Sequence, residues 1–188
     1  LAESDGSDDL NTLVQPFSTD SSGTVIGEGG GILILESLDS CAARNGTPWC
    51  TVKGIGCRQS FCDSPLDGDS HAIEMAIRRA LGEAGCAAEE INVIVPLGSG
   101  IHQVDVAELE GLTAVFGDTL SSIPTVTTVP YTGNCMAGNG AIGIAVAAKA
   151  IQEQTIPARL GAGTTDGIDA GTCTTTEKDI RHALVLSP

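Results

Sequence analysis

Residues 124–141, PTVTTVPYTGNCMAGNGA, constrain the fold more than any other stretch of the chain. The β-branched run from Ile123 to Val129 suits a pleated, half-buried strand. It feeds a Gly-rich elbow at Gly133 and then a helix from Gly138 to Gln154. The surface of that helix is Gly, Ala and Ile, which lets other backbones pack closely against it. Thr155 to Pro157 ends it.

The remainder alternates in the same way. From Thr24 to Leu38 a Gly-rich entry (Gly27, Gly29, Gly30, Gly31) runs into ILILE, a continuous apolar run of the buried-strand kind. The glycines precede this strand, whereas a dinucleotide loop needs strand, glycines, then helix, so the stretch does not read as a nucleotide site. Leu38 to Arg44 predicts a short helix ended by Asn45-Gly46, and Trp49 to Gly56 a strand. Gln59 to Asp69 is a Ser/Asp/Gly/Pro loop. Ser70 is placed to cap the helix HAIEMAIRRALGEAG, which has Ile73, Ile77, Ala80 and Leu81 on one face and Gly85 as its stop. A turn at Ala87 to Glu90 leads to a buried strand at Ile91 to Val95, a Gly98-Ser99-Gly100 loop and a helix from about Val104 to Phe116. Gly161 to Thr176 has little power to form a core, and HALVLS supplies a last strand. Strands alternating with helices predict an α/β layered fold with no internal repeat.

Composition excludes several partners. With 9 basic against 24 acidic residues the formal charge is -15, which repels nucleic acid and anionic lipid. The few cations are scattered, and the adjacent pair Arg78 and Arg79 reads as a solvated helix face. Even Ile142 to Ile151 is interrupted by Lys149, so no run of about 18 apolar residues exists to span a membrane. The opening LAESDGSDDLNT has neither a basic nor an apolar signal-peptide region and reads as a mobile acidic lead-in. Residues 1–23 are expected to form a lead-in and loop, and 24–188 one domain. Seven cysteines (Cys41, Cys50, Cys57, Cys62, Cys86, Cys135, Cys173) show no CxxC and no His at zinc spacing, so no metal site is expected. They read as buried thiols of a reducing cytoplasm, with one pair among Cys50, Cys57 and Cys62 expected to lie close in space.

Three segments together resemble the C-terminal half of a β-ketoacyl-acyl-carrier-protein synthase: GTVIGEGGGILILE at 23–36, GSGIHQVDVAELEGLTAVFGD at 98–118, and PTVTTVPYTGNCMAGNGA. The family's patterns there read roughly RPF-DGTVIGEGAGILVLE, AHGTGTPLNDVAE and PVSSTKSMTGHLLGAAGA. The resemblance implies a thiolase-like layered fold, a mixed sheet with packed helices built from two related halves. This chain would hold the end of the first half and most of the second. Since it also does not begin with Met, it is expected to be a fragment of a longer protein.

The resemblance puts Leu97 at the first catalytic histidine, Val129 at the lysine and Asn134 at the second histidine. The family's decarboxylative condensation needs a thiolate to carry the acyl chain and imidazole donors for charge that develops in the transition state. Leu97 has no donor and Val129 no charge, whereas Asn134 keeps a donor. The glycines Gly98, Gly100, Gly133 and Gly140 stand at family positions where backbones turn or approach closely, and with Ser99 they form the expected binding framework. Asp105 and Glu108 match the family's DVAE and are expected to cap or brace the helix. His102, five residues after Leu97, echoes the HQ of a related branch but reads as a surface histidine. His71 and His182 read as structural or surface groups. Cys135, at a helix start, has the setting of a lowered thiol pKa, yet the family puts an apolar residue there and a core thiol is expected.

Lost donors inside a kept framework is the pattern of the chain-length factor, the inactive partner of a ketosynthase in polyketide systems. The implied partners are an acyl carrier protein and an intact ketosynthase subunit in a dimer, with no cofactor. Two alternatives stay open: an acyl-carrier-protein-dependent transferase or decarboxylase with a non-standard site, and a binding module with no acyl chemistry.

Overall fold

The computed structural model describes residues 13–59, 68–160, 167–169, 171–172 and 174–187. In chain order the elements are α1 (Leu38–Ala43), α2 (Ser70–Ala84), β1 (Val93–Val95), α3 (His102–Phe116), α4 (Val129–Thr132), α5 (Asn139–Glu153), β2 (Thr155–Ile156), β3 (Thr176–Glu177) and β4 (Ala183–Val185).

Helix boundaries follow local chemistry. The Ser37 hydroxyl accepts from the Ser40 amide to start α1, and Asn45, at φ 54°, turns the chain away after it. Asp69, rather than Ser70, caps α2: its carboxylate accepts from the Ala72 amide at 2.9 Å, and Ser70 is the first helical residue. Gly85 ends α2 in the left-handed region, as expected from the sequence. Helix α3 begins two residues before the expected start, at His102, and has no side-chain cap.

Strand β1 sets the layers. It pairs in parallel with β4, with Val93 opposite Ala183 and Val95 opposite Val185. On its other edge residues 124–126 run parallel, through Ile94 N–H to Pro124 O and Val126 N–H to Ile94 O, both 2.9 Å. Successive side chains of a strand point to opposite faces, and each face of β1 has its own core. Ile94 and Leu184 pack with Ile77, Leu112, Phe116 and Leu120 of the α2–α3 layer. Val93 and Val95 pack with Val126, Ala147, Ala150 and Ile156 beside α5. The result is a three-layer α/β/α sandwich, the fold class the alternating pattern predicts. A separate antiparallel pair, β2 with β3, closes the end of α5; the Gly/Thr-rich segment gave no sign of β3. Ile168 is the one residue of that segment, among those described, that joins the α2–α3 core, in keeping with its small power to form one.

Three expected strands are revised. ILILE forms no ladder: Ile32 and Ile34 are 95% and 91% exposed, and no described residue pairs with them. An apolar run that would be buried between two layers has only solvent over it here. Trp49 to Gly56 is likewise unpaired: Trp49 sits under the Lys149 ammonium of α5, and residues 54–56 lie along α2. The approach is so close that a Cβ on Gly56 would sit 1.8 Å from the Ala76 carbonyl oxygen. The strand from Ile123 is shorter than expected, because Val129 starts the single turn of α4 with Pro130 in its first turn.

Before residue 24 the chain is already part of the core: Val14 and Phe17 are buried. The 1–12 lead-in, most of the 59–69 loop, Cys62 and Cys173 lie outside the described residues. Cys50 and Cys57 are free and exposed, which corrects their expected burial, while the pairs that would involve Cys62 lie outside the described residues; Cys41 and Cys135 are buried. Among the described residues no helix is long and apolar enough to cross a membrane.

Candidate functional site

The 97–100 loop leaves the C-terminal end of β1 and is held by two carboxylates from the first turns of α3. Asp105 and Glu108 are three residues apart, so both face the loop. Glu108 accepts from the Leu97 amide (Oε1, 2.8 Å) and the Gly98 amide (Oε2, 3.0 Å). Asp105 Oδ1 accepts from the Ser99 amide and hydroxyl, both 2.8 Å, and Oδ2 from the Gly100 and Phe17 amides at 3.0 and 3.1 Å. The expected role of capping or bracing the helix is therefore revised: these side chains brace the loop that precedes it. Gly98 and Gly100 adopt φ of 52° and 78°, which the loop's reversal requires.

Burial dominates the electrostatics of this pair. It raises the Asp105 pKa above the ordinary aspartate value, partly offset by the Ser99, Phe17 and Gly100 donors. It pushes Glu108 up to about 7, against the Gly98 and Leu97 amides, with the neighbouring Asp105 charge adding to the rise. Folded Glu108 thus keeps its proton to about pH 7, while an unfolded glutamate loses it near 4.5. The native state binds the extra proton between those values, so this contribution to stability is complete below pH 4.5 and lost as pH rises through 7. Chemical denaturation at pH 5 and pH 8 should show stability falling by up to about 3 kcal/mol at the higher pH. Glu108→Gln should flatten the difference.

The second half of the site is the elbow after α4. Val129, fully buried, opens α4, and Gly133 ends it at φ 70°. Gly133 lies against Gly27, where a Cβ would be 2.7 Å from the Gly27 Cα. That approach lets Asn134 join residues 25–27 as a parallel bridge, its amide donating to Val25 O at 2.7 Å and its carbonyl accepting from Gly27 N–H at 3.0 Å. The Asn134 side chain is buried, and Oδ1 accepts from the Met136 amide at 3.0 Å and from Asn139 Nδ2 at 2.8 Å. Asn139 Oδ1 in turn accepts from the Cys135 amide at 3.0 Å. Leu97 is half-buried at the start of the braced loop.

The remaining candidates fall elsewhere. His102 is exposed in the first turn of α3 and lines a shallow cleft of about 390 Å³ with Gly68, Gln103, Val106 and Glu110; neither Leu97, Val129 nor Asn134 borders it. His71 is exposed beside Glu74, and His182 Nδ1 lies 3.3 Å from Glu90 O. The Cys135 thiol is buried against the Thr132 and Gly133 carbonyl oxygens at 3.6 Å, the surroundings of a core thiol. Sequence reading missed Asn139, whose five-residue spacing from Asn134 matches no helical pair. It also missed Thr127, whose buried hydroxyl has no hydrogen-bond partner among the described residues.

A strand-end loop held by DVAE carboxylates and a Gly-Asn elbow that opens a small-residue helix are the features of a ketosynthase-type scaffold. The profile of the beta-ketoacyl synthase C-terminal domain matches residues 49–162, more than half of the chain, and the chain belongs to that family. Among solved structures it is similar to the ishigamide ketosynthase/chain length factor, at 32% identity and TM-score 0.81 over 90% of this chain and 42% of that one. It is also similar to AntDE:AntF, described as a type II PKS acyl-carrier protein in complex with its ketosynthase bound to the hexaketide, at 26% identity and TM-score 0.86 over 95% and 45%. These matches give the chain the thiolase-like fold that its motifs imply. Among curated proteins it is 35% identical to the granaticin polyketide putative beta-ketoacyl synthase 2 of Streptomyces violaceoruber, over 76% of this chain and 33% of that protein. The chain spans about a third of the length of the curated relatives it matches.

Proposed function

We propose that the chain is the C-terminal segment of a ketosynthase-like subunit of polyketide biosynthesis that lacks the usual condensation site and acts as a chain-length-factor-like partner. The observation that carries this reading is a kept frame around lost donors. Asp105 and Glu108 hold the 97–100 loop and Gly133 holds the elbow, yet Leu97 and Val129 occupy the positions that the resemblance gives to a histidine and a lysine. Relatives named as polyketide beta-ketoacyl synthase 2 and as a ketoacyl synthase beta subunit favour the polyketide pathway over fatty-acid synthesis. An intact ketosynthase and an acyl carrier protein are the partners this reading assigns, in keeping with what the similar solved complexes contain. Free thiols at Cys41, Cys50, Cys57, Cys86 and Cys135 fit a reducing, cytoplasmic setting.

The exposed apolar band supports an incomplete fold. Ile32, Ile34, Leu35, Trp49, Val52 and Ile55 lie open along one stretch of chain, the kind of patch soluble proteins cover by association. In this reading the first half of the subunit covers it. The isolated segment should then self-associate, and sedimentation should show dimers or larger species at tens of micromolar; a compact monomer would count against it. For the complete subunit, co-expression with an intact ketosynthase should give a stable heterodimer making products of one defined length. Failure to co-purify would remove the partner role.

One observation favours a second reading. Asn134 keeps a donor, which a transferase or decarboxylase with a non-standard site could use. The resemblance puts the family's thiolate-bearing position upstream of this segment; a cysteine there would select that enzyme, and a glutamine or another residue the partner.

A further inference from the structure

We infer that Tyr131 and Arg159 are positioning residues that tie the single turn of α4 to the segment after β2, and so set where Val129 and the Gly133 elbow stand in a length-selecting site. This rests on the partner role proposed above and names two residues that set its selectivity from outside the site.

The tie is needed because α4 does not hold itself. Its four residues make one turn, too short to be stable on their own hydrogen bonds. Upstream of it, residues 124–126 are fixed to β1 through the Pro124 carbonyl and the Val126 amide. The Thr125 amide points the other way, and Thr125 is 2% exposed, so this donor needs an acceptor from outside the sheet. Asp169 supplies it: Oδ2 accepts from the Thr125 amide in a long bond of 3.4 Å and from the Gly171 amide at 3.0 Å.

Arg159 holds Asp169 in place. Its Nη1 donates to the Asp169 carbonyl oxygen at 2.6 Å, and its amide donates to Thr172 O at 2.8 Å. Gly171, at φ 69°, fits against the stem, where a Cβ would be 2.7 Å from the Arg159 Cδ. Arg159 is 4% exposed, and its Nε has no partner among the described residues. Burial lowers its pKa to about 10, against the pull of the Asp169 charge. One residue earlier, the Ala158 carbonyl accepts from the Tyr131 hydroxyl at 2.9 Å. The two elements therefore grip the 125–133 stretch twice, at Thr125 through Asp169 and at α4 through Tyr131. Val129 lies between the grips, and its carbonyl accepts from the Gly133 amide at 2.9 Å, so a shift of α4 moves wall and elbow together. An apolar pocket tells chains one methylene apart by roughly 10- to 200-fold, and a loosened wall gives up part of that.

The test uses the complete subunit with an intact ketosynthase and reads the ratio of off-length to main-length product at equal amounts of assembled pair. Tyr131→Phe removes only the hydroxyl and should raise that ratio roughly 3- to 10-fold, the worth of one hydrogen bond. Arg159→Ala, which also frees Asp169, should raise it further, and Arg159→Lys, which keeps one donor for the Asp169 carbonyl, should fall between. Since Tyr131 is 54% exposed, Tyr131→Phe remains a test even where an Arg159 variant does not fold. Arg78→Ala cuts an exposed bond from α2 to the Ala114 carbonyl. It is the control for lost stability alone and should leave the ratio unchanged. An unchanged ratio in Tyr131→Phe, or an equal rise in Arg78→Ala, overturns the inference and leaves the partner reading standing. Products of no defined length from the unmodified pair overturn the functional reading and this inference with it.

Discussion

Asp105→Ala should bring the fold close to collapse, with a loss of about 3–6 kcal/mol. The carboxylate accepts from three backbone amides, Phe17, Ser99 and Gly100, and from the Ser99 hydroxyl, all in a buried setting. Alanine leaves those amides with no acceptor, at about 1–3 kcal/mol each. Domains of this size are stable by only about 5–15 kcal/mol in all. Burial raises the Asp105 pKa against the pull of its donors. The stranded amides account for the cost of the substitution. Asp105→Asn keeps one acceptor oxygen and should cost less, about 1–2 kcal/mol. Urea melts of the two variants check this order. A Asp105→Ala midpoint within about 0.5 kcal/mol of the unmodified chain would mean that the loop is held by something else.

The fold was legible where the chain buries both its own faces. Val93 to Val95, the apolar stripe of α2 around Ile77 and the small face of α5 all find their cover within this chain, so periodicity sufficed for them. ILILE and the 49–56 run carry equally strong strand signals and form none. A strand also needs a neighbour, and periodicity carries no information on whether one is present. The backbone frame of the candidate site was legible in part. Glycine positions marked where the chain reverses, at Gly98, Gly100 and Gly133, because backbone reversals leave a mark in composition. The carboxylates' aim was misjudged: a residue at a helix start can serve the helix or the preceding loop, and only the path of the loop decides. Asn139 was invisible for a similar reason, since its bond to Asn134 arises from the turn at Met136, at φ 53°, rather than from helical spacing.

The second large effect concerns the reaction. The complete subunit alone should condense acyl- and malonyl-carrier-protein substrates at least about 10³-fold more slowly than an intact ketosynthase. Removing one transition-state donor typically costs about 10²- to 10³-fold, and the resemblance puts Leu97 and Val129 at two positions that are polar in the family. Such losses do not multiply cleanly when residues act as a unit, so the single-donor range sets the floor. The braced loop and the Gly133 elbow do not offset this, because they place backbone and not imidazole or ammonium.

The most direct test of a kept scaffold without the condensation chemistry is the turnover of the purified complete subunit on those two substrates, with and without an intact ketosynthase. No condensation alone, and products of a defined length with the ketosynthase present, is the predicted result. Turnover at ordinary synthase rates by the subunit alone would contradict it.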